Sequence, residues 1–233
     1  MKGSRIAKLV LLGMAVLGAV KTAQADTVYS FSTIYVTSAT GINSSGQIVG
    51  TGGNGGFLYS GGSFATIAVP GNTITVPYGI NNSGQIVGSF FDSFGEHGFL
   101  YRDGVFTTID YPGTGATMVH GINNRGQIVG STGGPGFLYN GGSFSTIEIP
   151  GAVRTIPTGI NDSGQIVGWF IDTTFRNYHG FLYDNGSFTT IDLPGSIGSP
   201  KPMGSTTTAR FCWISSAPTA SNTLRWTMAV LSL

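Results

Sequence analysis

The sequence predicts an all-β protein, a β-propeller of four-stranded blades, and three observations carry that reading. Glycine supplies 38 of the 233 residues and charged side chains only 9%, against averages of about 7% and about 25%, which is the composition of short strands and many turns. One decapeptide occurs four times, at 41–50 (GINSSGQIVG), 79–88 (GINNSGQIVG), 121–130 (GINNRGQIVG) and 159–168 (GINDSGQIVG), with eight of ten positions identical and starts 38, 42 and 38 residues apart. A second block follows each copy, at 56–71, 98–113, 136–151 and 180–195, reading Gly-Phe-Leu-Tyr, a glycine-bearing turn, Phe-x-Thr-Ile and Pro-Gly.

Each repeat parses into strands A to D. Strand A ends at Gly-Ile-Asn, where Asn-x-x-Gly places an Asx-turn former first and a residue tolerant of positive φ last, the chemistry of a tight hairpin. Strand B is Gln-Ile-Val-Gly. Strand C is Phe-Leu-Tyr, its rings on one face and leucine on the other by the two-residue period. A turn such as Asp184-Asn185-Gly186 leads into strand D, Phe188 to Leu193, whose threonines and isoleucine suit a pleated surface, and Pro194-Gly195 stops it. Four strands in roughly 40 residues match a propeller blade. A β-solenoid is the alternative, but its repeats of about 20–30 residues are shorter and lack two successive hairpins. Ile86, Val87, Phe99 and Leu100, with their equivalents, are expected to form the inter-blade core, and Asn82 to be a tolerant surface turn position.

These repeats resemble those of the bacterial extracellular repeat proteins called HAF, which carry GINNxGQIVG, then H-G/A-F-L-Y, then FTTID-x-PG. The resemblance covers about residues 31–195. It implies secretion, a propeller fold and frequent surface attachment through a C-terminal sorting signal, and it implies no established catalytic activity. Copies one and three depart from the pattern, with Gly55-Gly56-Phe57 and Pro135-Gly136-Phe137 where histidine would precede, and no sorting signal ends the chain.

The ends carry their own signals. Residues 1–25 read as a secretory leader: Lys2, Arg5 and Lys8 precede the apolar run Leu9 to Val20, and Ala23-Gln24-Ala25 gives the small-x-small cleavage pattern. That run is shorter than the roughly 20 residues a membrane helix needs, so the product is expected to be secreted or at the cell surface, with no stable membrane span after cleavage. The repeat domain then covers 26–197. From about 198 the repeat vanishes, yet re-reading each codon one base earlier from Met203 permits Gly-Ile-Asn-Asp-Asp-Gly-Gln-Ile in phase, and the codons around Trp226 to Ala229 permit the turn before strand D. The tail 198–233 therefore reads as a frame-shifted fifth repeat. Tyr29 to Val36 reads as a strand D without A, B and C, so a closed ring would complete its last blade from both ends, and open blade edges would invite self-association.

Charge and motifs exclude several functions. A net charge of +1 gives no footprint for nucleic acid, and a single cysteine, Cys212, excludes intrachain disulfides and Cys-rich zinc sites. There is no nucleophile elbow, HExxH, P-loop or dinucleotide fingerprint, so no cofactor and no catalytic residue is expected. His97 and His179 share one repeat position, with Asp92, Glu96 and Asp172 nearby, but one histidine and one carboxylate are a thin metal set, and a histidine capping strand C is preferred. Asp110, Glu148 and Asp192 also share a position; paired carboxylates suit glycoside chemistry, yet the repeat explains the recurrence and a solvated strand-D face is preferred.

Variation locates the expected binding face. The A–B turn is always Asn-x-x-Gly, whereas the B–C interval grows from 6 residues (51–56, 131–136) to 10 (89–98) and 12 (169–180). The long intervals carry Phe90, Asp92, His97, Trp169, Asp172, Arg176 and His179. The D–A side adds Arg154 and the variable residue before Gly-Ile-Asn, which is Thr40, Tyr78, His120 or Thr158. Aromatics beside hydrogen-bonding groups suit sugar rings or peptide. A secreted non-catalytic scaffold binding an extracellular glycan or protein is the favoured function, and an envelope polysaccharide hydrolase or lyase the alternative.

Overall fold

The computed structural model describes residues 34–53, 55–72, 74–174 and 177–192, and beyond them only the backbone strands 201–202, 210–217 and 225–232. Each repeat folds into its own four-stranded antiparallel sheet. The first blade is β1 (Ser38–Ile42), β2 (Ile48–Gly52), β3 (Gly55–Ser60) and β4 (Ser63–Ile67). The second is β5 (Ile74–Ile80), β6 (Ile86–Phe91), β7 (Glu96–Arg102) and β8 (Val105–Ile109). The third is β9 (Met118–Ile122), β10 (Ile128–Ser131), β11 (Gly136–Asn140) and β12 (Ser143–Ile147), and the fourth β13 (Ala152–Ile160), β14 (Ile166–Asp172), β15 (Tyr178–Asp184) and β16 (Ser187–Ile191). Neighbours in sequence are neighbours in every sheet. The solenoid alternative fails because each ladder is confined to one repeat and the repeats meet face to face through side chains. No helix among the described residues is long and apolar enough to cross a membrane.

The period-2 pattern explains the stacking. Val49, Leu58 and Ile67 of the first blade pack against Ile86, Phe99, Tyr101 and Phe106 of the second. Val87, Leu100 and Ile109 of the second meet Ile128, Phe137, Tyr139 and Phe144 of the third, and Val129, Leu138 and Ile147 of the third meet Ile166, Phe181, Tyr183 and Phe188 of the fourth. Ile-Val on strand B and Phe-Leu on strand C thus serve two interfaces at once, as the alternation requires. Phe99, Phe137 and Phe181 are wholly buried, each contributing about 1.5–3 kcal/mol by burial alone. Among the described residues the first blade has no such neighbour on its other side: Ile42 and Phe64 are 49% and 53% exposed, where Ile80 and Ile160 are 8% and 4% exposed.

The A–B turns do more than reverse the chain. The first asparagine of each is buried. Asn81 accepts from the amides of Ser83 and Gln85 at 3.1 and 3.0 Å, and its amide donates to Gln85 Oε1 at 2.7 Å and to the Asn123 carbonyl of the next blade at 3.1 Å. Asn43 donates to the Asn81 carbonyl and Asn123 to that of Asn161 in the same way. A second tier runs outside it, Ser44 N to Asn82 Oδ1, Asn82 N to Asn124 Oδ1 and Asn124 N to Asp162 Oδ1. Asn82 is therefore an inter-blade acceptor as well as a turn residue.

Strand A carries a β-bulge in every blade, between Ala39 and Gly41, Pro77 and Gly79, Val119 and Gly121, and Pro157 and Gly159. The last glycine of the decapeptide lies under it: a Cβ on Gly88 would stand 2.0 Å from the Val76 carbonyl oxygen. Only glycine admits that approach.

Three expectations are corrected. The long B–C intervals are mostly strand, because Phe90 pairs across the ladder with His97 and Phe170 with His179, extending both hairpins. Strand D of the fourth blade ends at Ile191, before Asp192. Residues 34–36 form no strand and Tyr35 is 92% exposed. The leader at 1–25 and residues 29–33 of the orphan strand lie outside the described residues, as do the tail's side chains. The tail backbone forms β17 (Lys201–Pro202), β18 (Arg210–Ala217) and β19 (Arg225–Ser232), an antiparallel sheet in that order.

Candidate functional site

The four inner strands, β1, β5, β9 and β13, surround the molecular axis. They approach closely enough that a Cβ on Gly79 would lie 3.5 Å from the Gly121 Cα. Two compartments result. The upper one, of about 390 Å³, is walled by Thr40, Tyr78, His120 and Thr158 and opens toward the start of strand A near Ser38. The lower one, of about 260 Å³, lies among the A–B turns. Ile42, Ile80, Ile122 and Ile160 line both and form a collar between them. The wall residues are the ones at the bulges, and bulges re-aim side chains in this manner beside functional sites. The variable position of the decapeptide's approach is thus turned into the cavity in all four blades.

The wall is asymmetric. Thr40 donates to the Pro77 carbonyl at 2.7 Å and Thr158 to that of Val167 at 3.4 Å, so their hydroxyls are spent on backbone. His120 Nε2 lies 3.1 Å from Ser131 Oγ, and the Tyr78 and His120 rings meet edge-on at 5.9 Å. Burial lowers the His120 pKa to about 4, leaving the ring neutral at pH 7. The Tyr78 phenol is pushed up, first by burial and then by the Glu96 carboxylate. Burial also raises Glu96 itself, against the opposing effect of the nearby Ser89 hydroxyl. Ser89 Oγ is fully buried and has no partner of hydrogen-bond geometry.

Outside the cavity, the second and fourth blades repeat one construction. His97 stacks on Phe90 at 5.2 Å, with Nδ1 3.0 Å from Asp110 and Nε2 3.1 Å from Asp92. His179 stacks on Phe170 at 4.9 Å, with Nδ1 2.9 Å from Asp192 and Nε2 3.7 Å from Asp172. Both ring nitrogens face carboxylates, which accept N–H bonds and so favour a proton rather than a metal at each nitrogen, and among the described residues no three His, Cys, Asp or Glu stand as a ligand set. Burial alone would depress the His97 pKa, but hydrogen bonds and charge from Asp110 and then Asp92 outweigh it and raise the value. The Asp92 carboxyl is held low chiefly by the Phe94 amide. Hydrogen bonds from the Thr174 hydroxyl and the Asn177 amide bring Asp172 to about 2.

The two histidines give opposite pH dependences. His120 titrates at about 4 in the fold against an ordinary histidine value of 6.5, so the unfolded chain takes up the proton first and stability falls as pH drops from about 6.5 to about 4, by about 3 kcal/mol at 1.36 kcal/mol per unit. His97, raised in the fold, adds stability that is complete below about 6.5 and lost as pH rises through its folded value. Urea midpoints at pH 7, 5.5 and 4.5 should therefore flatten for His120→Gln and steepen for His97→Gln. Parallel curves for wild type and His120→Gln would contradict the placement of His120.

Of the residues expected on the binding face, Tyr78 and His120 lie in the cavity rather than on a loop rim. Trp169 is on β14 with its ring 5.3 Å from Tyr178, and Arg154 is exposed on β13. Asp92, His97, Asp172 and His179 form the two clamps. Phe90 is corrected: it is 6% exposed and belongs to the core between the first two blades, because extension of the hairpin turns its ring inward beneath His97. Arg176 lies outside the described residues. Sequence reasoning missed Ser131, and it missed that Asp110 and Asp192, which are solvent-exposed as expected, are also histidine partners. A signal existed, since histidine and this aspartate occur together in the second and fourth repeats while the first and third have Gly55 with Ala68 and Pro135 with Glu148.

No protein-family model and no curated protein matches the chain. Among solved structures it is similar to virginiamycin B lyase from Staphylococcus aureus, at 15% identity and TM-score 0.51, over 80% of this chain and 67% of that one. It also matches the extracellular domain of a one component system from B. thetaiotaomicron, at 17% identity and TM-score 0.46, over 78% of this chain and 27% of that one. A third match is YCF48 bound to D1 peptide, at 12% identity and TM-score 0.39, over 78% and 66%. The first likeness shows the fold alone, a β-propeller.

Proposed function

We propose that this chain is an extracellular repeat scaffold of the HAF type, without catalytic activity, that binds an extracellular glycan or protein at the end of the propeller where the B–C hairpins and the mouth of the upper cavity lie. The observation that carries the reading is the set of four bulges: a nearly invariant repeat turns its one variable inner residue, Thr40, Tyr78, His120 or Thr158, toward the axis, while the opposite end repeats the same Asn-x-x-Gly turn four times. The leader sequence supports export. Cavities of this size, mostly apolar with a few polar groups, are where propellers and other closed folds seat ligands.

The test is a screen of the chain from Asp26 onward against arrayed extracellular glycans and purified cell-surface proteins. A ligand whose binding weakens with Trp169→Ala, and is untouched by Asn124→Ala in an opposite-end turn, supports the assignment. Loss only in the turn variant, with both proteins folded, removes it.

A further inference from the structure

The polar inventory of the upper compartment narrows the ligand class, on the reading above that this end binds. We propose that the compartment seats the uncharged terminal sugar of a glycan, entering end-on, with Tyr78 and His120 as its polar contacts. No charged side chain lines the compartment. His120 is neutral at pH 7 because burial holds its pKa at about 4, so no cation is present to repay the desolvation of an anionic ligand. The Glu96 carboxyl, close enough to raise the Tyr78 phenol, opposes anions further.

The free polar atoms stand on one side. Among the described residues the Tyr78 hydroxyl and His120 Nδ1 have no hydrogen-bond partner, whereas His120 Nε2 is spent on Ser131 and the Thr40 and Thr158 hydroxyls on backbone carbonyls. The threonines therefore offer methyl groups opposite, and the isoleucine collar is an apolar floor. A polar edge facing an apolar wall matches a pyranose, which has hydroxyls around its rim and C–H groups on its faces. The four isoleucines narrow the axis between the two compartments, which suits a chain end better than a threaded chain. A peptide C-terminus carries a negative charge that nothing lining the compartment neutralises, and a neutral glycan end carries none.

The experiment is calorimetric titration of the chain from Asp26 onward, at pH 7, with neutral gluco-, galacto- and N-acetylglucosamine oligosaccharides and with oligogalacturonate as the charged arm. A neutral oligosaccharide should bind; Tyr78→Phe should weaken it roughly 3–10-fold, the worth of one hydrogen bond, and the cavity-filling Thr158→Phe should abolish it, both variants keeping the wild-type unfolding midpoint within a few degrees. If Thr158→Phe fails to fold, the corresponding monosaccharide must displace the bound oligosaccharide. Binding of oligogalacturonate alone overturns the proposal. So does binding that ignores Tyr78→Phe and the monosaccharide but falls with Trp169→Ala, which leaves the end-face reading intact. Absence of any binding, here and in the glycan and protein screen, overturns both.

Discussion

Alanine at Asn81 is expected to destabilise the protein by about 3 kcal/mol, comparable to a core truncation. Its side chain accepts from the Ser83 and Gln85 amides inside the turn, and it also donates to the Asn123 carbonyl of the next blade. The Asn123 carbonyl left without its buried bond costs about 1–3 kcal/mol, and the two part-buried turn bonds add about 0.5–1.5 kcal/mol each. Ile86→Ala should cost about 2–5 kcal/mol, since the side chain is wholly buried and a cavity remains. Asn82→Ala loses one exposed inter-blade bond, from the Ser44 amide, and should cost under about 1 kcal/mol. Urea unfolding of the three variants checks the ranking. Equal midpoints for Asn81→Ala and Asn82→Ala would mean that the buried ladder does not hold the blades together.

Gly88→Ala is expected to destabilise by about 3 kcal/mol, the upper end of ordinary overpacking, and to disturb the axial cavity as well. The new methyl would meet the Val76 oxygen at 2.0 Å, the Pro77 Cα at 2.9 Å and the Phe99 ring at 2.9 Å. Two of those three atoms are backbone and cannot swing away. Relief requires β5 and β6 to part at the bulge, which moves Tyr78. Gly53→Ala, where a Cβ meets nothing within 4 Å, is the control and should change stability by no more than about 0.5 kcal/mol. Similar midpoints for the two variants would show that the bulge is not fixed by this close approach.

Much of the fold was legible along the chain. The four blades, their strand order and the two-sided packing of Ile86, Val87, Phe99 and Leu100 follow from a repeat of about 40 residues and a two-residue side-chain period. Both are local properties. The candidate site was legible only in part. Tyr78 and His120 stood out as the variable residue before Gly-Ile-Asn, but a one-residue bulge decides whether that residue faces a neighbouring blade or the axis, and no pattern in strand A announces it. The constant Gly88 records the bulge indirectly, through a carbonyl ten or more residues earlier.

The sequence by itself determined the blade, because hairpin turns and alternation act between residues a few positions apart. What only the tertiary structure decided was convergence: Asp110 and Asp92 on the two nitrogens of His97, Ser131 on His120, and Asn43, Asn81, Asn123 and Asn161 joined from blade to blade. These partners lie 5 to 42 residues apart in sequence, and their meeting depends on the angle at which one blade stacks on the next. That angle is set by the close-packed side chains between sheets, and packing of many side chains at once has no short-range signature in the order of residues.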